Sequence, residues 1–303
     1  MKVLLTGGAG FIGSNLAEEY IKAGYDVVVV DNLITGKQEH IHSMVKFYEV
    51  DICSQEFYDI AIKEKPDLIN HHAANIDVQS SIKNPGLDAK INIIGTINVL
   101  EVCKELGVPL IYPSSAAVYG TPNYLGIDEK HEITPISNYG ISKYTPEQYI
   151  RLYHNLYSVP YTIFRYANVY GMRQDPKGEG GVISVLMKSA IEGNSFNLYG
   201  DGKQTRDFIH VFDVVSANLL ASAKPLNDVF NISTGKQTDL LQLINLVKET
   251  IHTQFPVNFM ADRKGDIKHS FLLNDKFKKH VDWKPSVELL EGINMTYQYY
   301  LSQ

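Results

Sequence analysis

Short apolar runs alternate with longer amphipathic stretches along the first two thirds of the chain. Several of the apolar runs are hydrophobic on both faces, which is typical of strands in a parallel sheet that helices cover on each side. They predict strands at Lys2–Thr6, Asp26–Asp31, Val45–Glu49, Leu68–His71, Leu110–Ser114 and Tyr161–Tyr166. Apolar positions with helical spacing between these runs predict helices that include Ser14–Ala23, Ile91–Leu106 and Tyr139–Tyr157. The alternation predicts an α/β fold built on a Rossmann-type doubly wound parallel sheet.

The rhythm changes after residue 170, where a polar loop rich in glycine is followed by shorter elements. These are predicted as a helix at Val182–Glu192, strands at Phe196–Tyr199 and Phe208–Val211, and amphipathic segments at Asp239–Ile251 and Leu289–Leu301. We expect a nucleotide-binding domain at residues 1–170, to which segments near 206–236 return. Residues 171–205 and 237–303 are expected to form a smaller α/β C-terminal lobe that binds the substrate.

The composition narrows the possible function classes. With 303 residues, of which 44% are hydrophobic, the chain can bury a large core. Its net charge of −6 provides no basic field for nucleic acid, and no run approaches the ~20 apolar residues that span a bilayer. Only two cysteines are present, Cys53 and Cys103, and the N-terminus lacks the apolar run of a signal peptide. We expect a cytoplasmic protein without nucleic-acid or membrane partners.

A glycine-rich turn, Thr6–Ser14, follows the first strand and opens a helix. Its glycines fit G-x-G-x-x-G from Gly8 and a three-residue spacing from Gly7. Without Cβ atoms the backbone can approach a pyrophosphate, and the helix N-terminus offers free N–H groups and a positive dipole. Glycines needed only for tight helix–strand packing are the alternative. The turn predicts dinucleotide contacts from Gly7, Gly10, Phe11, Ile12 and Gly13.

Asp31, at the end of the second strand, is a second indication of a dinucleotide site. A carboxylate there hydrogen-bonds the adenosine ribose hydroxyls and repels a 2′-phosphate, which favours NAD over NADP. Asn32 follows it directly, and Asp51-Ile52 lies just past the third strand. At that position Asp51 either reaches the adenine or makes the turn before the next helix. The predicted cofactor is NAD, with contacts from Asp31, Asn32, Asp51 and Ile52.

The fourth strand ends in His71-His72-Ala73-Ala74. Small residues here let the backbone run beside a cofactor at the carboxyl edge of the sheet. His72, Ala73 and Ala74 are therefore predicted cofactor contacts. Adjacent histidines on a strand point to opposite faces, and no cysteine or carboxylate cluster accompanies them. We predict no metal site.

Three side chains form the predicted catalytic set. Tyr139 and Lys143 are four residues apart, so on a helix they share one face. A tyrosine with a pKa of about 10 is a poor base at neutral pH, and a nearby ammonium lowers that pKa. Such a pair can remove a hydroxyl proton while a hydride leaves the same carbon. Ser115 follows the fifth strand and is placed to hydrogen-bond the reacting oxygen, although taken alone it reads equally as a turn serine.

These segments together resemble the extended short-chain dehydrogenases, in the UDP-glucose 4-epimerase group. The resemblance runs from residue 1 to about 300 and rests on Thr6–Ser14, His71–Ala74, Ser114–Gly120, Tyr139–Lys143, Arg165–Pro176, Tyr199–Val211 and Arg263–Ser270. It implies that Tyr139 is the base, that Lys143 holds the nicotinamide ribose and that Ser115 binds the sugar hydroxyl. It further implies cofactor contacts from Asn92, Ser114 and Tyr166, and substrate contacts from Asn168, Val182, Leu198, Arg206, Arg263, Asp266 and Ser270.

The reaction implied by the resemblance is NAD-dependent 4-epimerisation of a UDP-hexose through a transient 4-keto sugar. A dehydratase, a decarboxylase or a UDP-glucuronate 4-epimerase of the same family is the alternative, and a non-catalytic NAD-sensing regulator is a remote one. Related dehydratases carry carboxyl groups just before Val-Tyr-Gly, where this chain has Ala116 and Ala117. Deprotonation at C5 therefore has no evident base, which favours a simple epimerase.

The sequence leaves the natural sugar open. Ser270 lies where narrow epimerases of the group place a bulky tyrosine against the C2 substituent, so a serine leaves room for an N-acetyl group. UDP-glucose and UDP-galactose are the expected substrates, with UDP-GlcNAc and UDP-GalNAc as further candidates. UDP-glucuronate is less favoured, because enzymes of that specificity carry Thr in place of Asn168. The resemblance also implies a homodimer with a four-helix interface, although Ile91–Leu106 and Tyr139–Tyr157 could equally be internal.

Overall fold

The computed structural model describes residues 1–176, 181–262 and 267–303. Its strands are β1 (Lys2–Thr6), β2 (Asp26–Asp31), β3 (Lys46–Glu49), β4 (Leu68–His71), β5 (Leu110–Ser115), β6 (Tyr161–Tyr166), β7 (Asn168–Tyr170), β8 (Phe196–Tyr199), β9 (Thr205–Arg206), β10 (Phe208–His210), β11 (Val229–Ile232), β12 (Thr238–Asp239) and β13 (Val257–Met260). Its helices are α1 (Phe11–Lys22), α2 (Gln55–Glu64), α3 (Val78–Lys83), α4 (Pro85–Ala89), α5 (Gly95–Leu106), α6 (Asn138–Tyr157), α7 (Val182–Glu192), α8 (Val211–Ala223), α9 (Leu240–Thr250), α10 (Asp275–His280) and α11 (Leu289–Leu301). The strands predicted for residues 1–170 agree with β1 to β6 within one residue at either end.

Seven parallel strands form the central sheet, in the order β11-β6-β5-β4-β1-β2-β3. The chain runs outward from β1 in both directions, which is the doubly wound arrangement predicted from the sequence. All the carboxyl ends therefore meet at one edge. Thr6 is in register with both Val30 and His71, and Ser115 is in register with Tyr166. The predicted fold class is confirmed.

The two faces of the sheet are covered by separate apolar clusters. Along β1, Val3 and Leu5 face one side, where they belong to the same cluster as Leu16 of α1 and Val214 of α8. Leu4 faces the other side, where its cluster includes Phe57, Val99 and Ile150 from α2, α5 and α6. A fully buried aliphatic or aromatic side chain contributes about 1.5–3 kcal/mol. The alternation along one short strand thus holds both helical layers in place.

The strand β11 was not predicted by the sequence pattern. It pairs with β6 at the sheet edge, with Val229 opposite Ile163. A buried Asn231 interrupts its apolar run, and the Nδ2 of this residue donates to the carbonyl of Ile127 at 3.0 Å. Because the partner in this hydrogen bond lies 104 positions earlier in the chain, the local pattern could not identify the strand.

Helix boundaries differ from prediction at three places. The helix expected at Ser14–Ala23 begins at Phe11, because Gly10 is its N-cap. The helix expected at Ile91–Leu106 is divided into one turn of π-helix at Lys90–Ile94 and then α5. Val211, predicted as the end of a strand, begins α8, since the side chain of His210 caps that helix by accepting from Phe212 N–H.

A third apolar cluster, outside the central sheet, includes residues of α7, α9, α11 and the parallel pair β8–β13. It includes Ile183, Leu186, Leu198, Leu243, Val247 and Ile293. Across the described ranges, no helix has both the length and the hydropathy that crossing a bilayer requires.

Candidate active site

The glycine turn brings three chain segments into close contact. A Cβ on Gly13 would lie 2.1 Å from the carbonyl oxygen of Gly7, and one on Gly7 would lie 2.5 Å from the backbone nitrogen of Ala73. Gly7 also has φ of +69°, a left-handed conformation that favours glycine. Gly8 instead packs against Val29, where a Cβ would be 2.5 Å from the side chain. Tight packing within the protein therefore requires Gly7, Gly8 and Gly13, while their contacts with a dinucleotide remain a prediction.

The N-terminus of α1 opens toward the carboxyl edge of the sheet. Its N-cap Gly10 is extended, and none of the described side chains hydrogen-bonds there. Among the residues that the structure describes, a Cβ on Gly10 would meet only the carbonyl oxygen of Gly7, at 3.2 Å. The predicted contacts Phe11 and Ile12 form the first helical turn and are partly exposed. Uncapped N–H groups beside open space fit the pyrophosphate of a dinucleotide.

Asp31 is held rigidly beside this turn. One carboxylate oxygen accepts from Ala9 N–H at 3.0 Å and the other accepts from Leu33 N–H at 2.9 Å. The carboxylate also crowds Gly36, where a Cβ would be 2.8 Å from Oδ1. Each oxygen keeps lone-pair capacity for a ribose hydroxyl, whereas a 2′-phosphate would meet a fixed negative charge. The neighbouring Asn32 accepts from Ile34 N–H through Oδ1.

The other predicted cofactor residues lie at the ends of β3 and β4. Asp51 makes the turn before α2, accepting from Cys53 N–H at 2.8 Å. Ile52 is buried, and its side chain fills the space beside Gly95. Ala73 N–H donates to Thr6 Oγ1 at 3.2 Å, and Ala74 is partly exposed beyond it.

His72 is kept neutral at this edge. Burial lowers its pKa to about 3. Its Nε2 lies 3.4 Å from the hydroxyl of Tyr166, which itself accepts from Asn218 Nδ2 at 2.7 Å. Among the described residues, Nδ1 of His72 is buried without a hydrogen-bond partner. Within the same ranges, no group of three or more His, Cys, Asp or Glu is arranged to hold a metal ion.

The structure brings Ser115 and Tyr139 together. Ser115 ends β5 and its Oγ accepts from Ala117 N–H at 3.2 Å, while its hydroxyl is close enough to the phenol of Tyr139 to favour a lower pKa of that group. Tyr139 lies in the first turn of α6, which Ser137 caps by accepting from Gly140 N–H at 3.0 Å. A serine hydroxyl beside a phenol can share a proton between the phenol and a third oxygen.

Lys143 lies one turn further along α6, almost fully buried. Its Nζ is 4.6 Å from the centre of the Tyr112 ring, and burial lowers its pKa to about 7. Tyr139 does not show the lowered pKa expected from the sequence. Burial raises its pKa, while the hydrogen bond from Ser115 opposes that shift. The reason is that desolvation disfavours both charged forms, an effect that spacing along a helix does not reveal.

A buried ion pair lies next to Ser115 and Lys143 along β5 and α6. The guanidinium of Arg165 donates to both carboxylate oxygens of Glu147, at 3.0 and 2.6 Å. Ser114 Oγ donates to the same carboxylate at 2.6 Å, and Arg165 also donates to Tyr119 OH at 3.0 Å. Together with Ser114, the pair links β5, β6 and α6. The sequence reasoning missed it, although Glu147 follows Lys143 by one helical turn.

Asn92 is the centre of a second buried network, in the π-helical turn. Its Nδ2 donates to Ser142 Oγ at 2.9 Å and to Asn75 O at 3.0 Å, while its Oδ1 accepts from Asn75 N–H at 2.8 Å. Asp88, one turn earlier, accepts from Nδ2 of both Asn92 and Asn75. Asn92 therefore contacts the catalytic helix rather than lying apart from it. Asp88 and Asn75 were not among the predicted site residues.

The predicted substrate residues lie in several separate segments that follow β6. Arg206 Nη1 donates to Thr205 O at 2.8 Å, and Ser270 N–H donates to the same carbonyl at 3.2 Å, so these two segments adjoin. Asn168 begins β7 and is exposed, and Val182 begins α7 and is partly exposed. The side chain of Leu198 is buried in the third apolar cluster. Arg263 and Asp266 lie outside the described residues.

Known proteins of similar sequence and fold include several that are named as UDP-glucose 4-epimerases. The model of the NAD dependent epimerase/dehydratase family matches residues 3–233. A protein of Methanocaldococcus jannaschii named putative UDP-glucose 4-epimerase is 42% identical over 293 residues, covering 96% of this chain and 95% of that protein. The crystal structure of UDP-glucose 4-epimerase with UDP-glucose from Thermotoga maritima superposes with a TM-score of 0.97 at 40% identity, covering 100% and 99% of the two chains. That of the Thermus thermophilus UDP-glucose 4-epimerase complex with NAD gives 0.95 at 36% identity, covering 99% of each chain.

Proposed function

The chain belongs to the NAD-dependent epimerase/dehydratase family, and we propose that it is a UDP-hexose 4-epimerase that interconverts UDP-glucose and UDP-galactose. The observation that carries the proposal is the placement of the Ser115 hydroxyl beside the Tyr139 phenol, at the carboxyl edge of the parallel sheet. Its cofactor is NAD, held by the α1 N-terminus, Asp31 and the edge residues described above. The bound cofactor accepts a hydride from the sugar and later returns it.

The residues of this chain handle the proton. Tyr139 takes the proton of the 4-hydroxyl, with Ser115 sharing the hydrogen bond to that oxygen. The protonated Tyr139 returns the proton when the 4-keto group is reduced from its opposite face. Lys143 as an ammonium favours the phenolate form of Tyr139 during this exchange. Because the redox change is reversed within one cycle, no external oxidant or reductant is consumed.

The turn that follows Ser115 argues against the dehydratase alternative. Ala116 and Ala117 form this turn next to Tyr139, and neither side chain can donate or accept a proton. A dehydratase must also deprotonate C5, which requires a base near that carbon. The same absence of a carboxylate at residues 116 and 117 supports an enzyme that ends its chemistry at C4.

We extend the proposal to the sugar. Ser270 lies beside the Thr205–Arg206 segment and is partly exposed, so its short side chain leaves room for a C2 substituent. UDP-GlcNAc and UDP-GalNAc are therefore proposed as additional substrates. Residues 171–205 and 237–303 are proposed as the lobe that binds the UDP-sugar, while two free thiols, Cys53 and Cys103, favour a cytoplasmic location.

The purified protein is expected to convert UDP-glucose to UDP-galactose without net formation of NADH. Separate incubations with UDP-glucose, UDP-GlcNAc and UDP-glucuronate, followed through the anomeric protons by NMR, test this directly. A new methyl doublet from a 6-deoxy-4-keto product would instead identify a dehydratase. If the protein binds added NAD but converts none of these sugars, the epimerase proposal fails and a non-catalytic NAD-sensing regulator is favoured instead.

We also propose a homodimer formed through α6 and the neighbouring π-helical turn. Ile141, Leu152 and Leu156 are 49%, 47% and 61% exposed and lie along one side of α6, and Ile94 is 49% exposed. An apolar stripe of this kind on a helix already packed against α5 fits a second copy of the same surface.

The double variant Leu152→Arg/Leu156→Arg is expected to halve the mass measured by light scattering, because four charges would be buried at the two-fold interface. Leu220→Arg is the matched control, since Leu220 is 40% exposed on α8, away from this stripe. A parent protein that is monomeric at micromolar concentration, or a double variant of unchanged mass, would contradict the dimer.

A further inference from the structure

Asp88 is a buried carboxylate with neutral hydrogen-bond partners. It is 1% exposed, and its Oδ1 accepts from Asn75 Nδ2 at 2.8 Å and from Asn92 Nδ2 at 3.3 Å. Among the residues that the structure describes, no cationic nitrogen lies within ion-pair distance of it. A buried charge without a cation is unusual, because its desolvation is not repaid by a salt bridge.

The partners of Asp88 connect it to the catalytic helix. Asn92 Nδ2 also donates to Ser142 Oγ at 2.9 Å, and Ser142 Oγ donates to the carbonyl of Tyr139 at 3.1 Å. The carboxylate is therefore two side chains away from the turn of α6 that carries the tyrosine. A change at Asp88 alters both the charge and the hydrogen bonding at that turn.

The charge of Asp88 acts on two predicted catalytic groups at once. It raises the pKa of Lys143, where burial is the dominant and opposite influence, and it raises the pKa of Tyr139 further. Glu147 also raises the pKa of Lys143, but its carboxylate is already paired with Arg165 at 2.6 Å.

The remaining groups around Lys143 are uncharged at neutral pH. Tyr112 on β5 presents its ring to the ammonium, and burial raises its pKa. His71 and His72 on β4 both feel the charge of Lys143, and burial lowers the pKa of each well below its usual value. Ser115 faces Tyr139 as a neutral hydroxyl. Among the described residues that face this pair, Asp88 is thus the carboxylate without an ion-pair partner.

We propose that Asp88 is a positioning residue whose carboxylate favours the ammonium form of Lys143 and, through Asn92 and Ser142, holds the turn that carries Tyr139. The inference rests on the proposed epimerase function and adds a residue to it. Asp88 then contributes to the reaction and not to stability alone.

The sign of the two effects gives a specific signature. Removing the charge lowers the pKa of Lys143, because its ammonium loses a favourable neighbour, and lowers that of Tyr139, because its phenolate loses a repulsive one. In Asp88→Asn, both limbs of the pH profile of kcat/KM should therefore move to lower pH, by about half a unit to one unit each. The limbs are properties of the coupled pair, so the result does not depend on which residue gives which limb.

Three variants accompany Asp88→Asn, all assayed with NAD bound and checked for folding by thermal melting. Asp88→Glu retains the charge and should keep both limbs at the parent positions. Asn75→Ala removes the 2.8 Å hydrogen bond but leaves the carboxylate, so it should reduce the height of the profile without moving the limbs. Asp59→Asn, an exposed carboxylate on α2, should leave the profile as it is in the parent.

The outcomes separate the two proposals. If the parent enzyme epimerises UDP-glucose but the limbs of Asp88→Asn stay in place, or only one of them moves, the role of Asp88 is wrong. Equal shifts in Asn75→Ala would assign the effect to hydrogen bonding rather than to charge. If the parent enzyme epimerises no sugar, the proposed function itself fails, whatever Asp88 does.

Discussion

Replacing Tyr139 with phenylalanine is expected to lower turnover by about 10²- to 10⁴-fold, the usual contribution of a positioned proton-transfer group. The phenyl ring fills the same buried space, so the fold of α6 and the binding of UDP-sugar should be retained. The phenol hydroxyl beside Ser115 is lost, and with it the group that takes the proton. Turnover should be measured by NMR, and binding of UDP-glucose by calorimetry.

Tyr149→Phe is the matched control, because Tyr149 is 37% exposed on the same helix. It should leave turnover at the parent value. If Tyr139→Phe weakens UDP-sugar binding as strongly as it slows turnover, the hydroxyl is a binding or structural group and the assignment of Tyr139 as base fails.

Replacing Arg165 with methionine is expected to destabilise the protein by about 3–5 kcal/mol, the range found when one partner of a buried ion pair is removed. Glu147 is fully buried and would keep a carboxylate with Ser114 as its one remaining close donor among the described residues. Arg151 contacts the same carboxylate at 3.8 Å from the partly exposed side of α6, so it compensates for only part of the lost 2.6 Å pair. Urea unfolding followed by circular dichroism measures the loss.

Lys236→Met is the matched control, because its ion pair with Glu288 is 2.7 Å long but 65% and 74% exposed. An exposed pair contributes about 0–1 kcal/mol, so this variant should unfold close to the parent midpoint. The double variant Glu147→Leu/Arg165→Met should recover part of the stability, since no unpaired buried charge remains. Equal losses in Arg165→Met and Lys236→Met would show that burial of the ion pair does not matter.

The groups around Lys143 also explain why its ammonium and amine forms are close in free energy near neutral pH. Burial lowers its pKa to about 7, while Glu147 and Asp88 act in the opposite direction. The lysine can therefore change protonation near physiological pH. The sequence predicted the residue and its face on the helix, but not this balance.

Much of the fold could be read from local patterns. The six strand segments predicted in the first 170 residues agree with β1 to β6 within one residue. Strands buried on both faces, such as β4 and β6, need continuous apolar side chains and are therefore visible in the local pattern. The glycine turn could be read in the same way, since Gly7 and Gly13 meet backbone atoms at distances that exclude a Cβ. The strand β11 was not predicted, because the buried Asn231 within it hydrogen-bonds Ile127, which is far away in the chain.

The sequence by itself determined the elements, the glycine turn and the helical spacing of Tyr139 and Lys143, since each depends on residues within one or two turns or strands. Only the tertiary structure decided which side chains meet. Asp88 reaches the catalytic turn through Asn92 and Ser142, 50 residues apart in sequence, and burial raised rather than lowered the pKa of Tyr139. The physical reason is that desolvation and hydrogen-bond partners are set by packing between distant segments, which a local pattern of hydrophobic and polar residues does not encode.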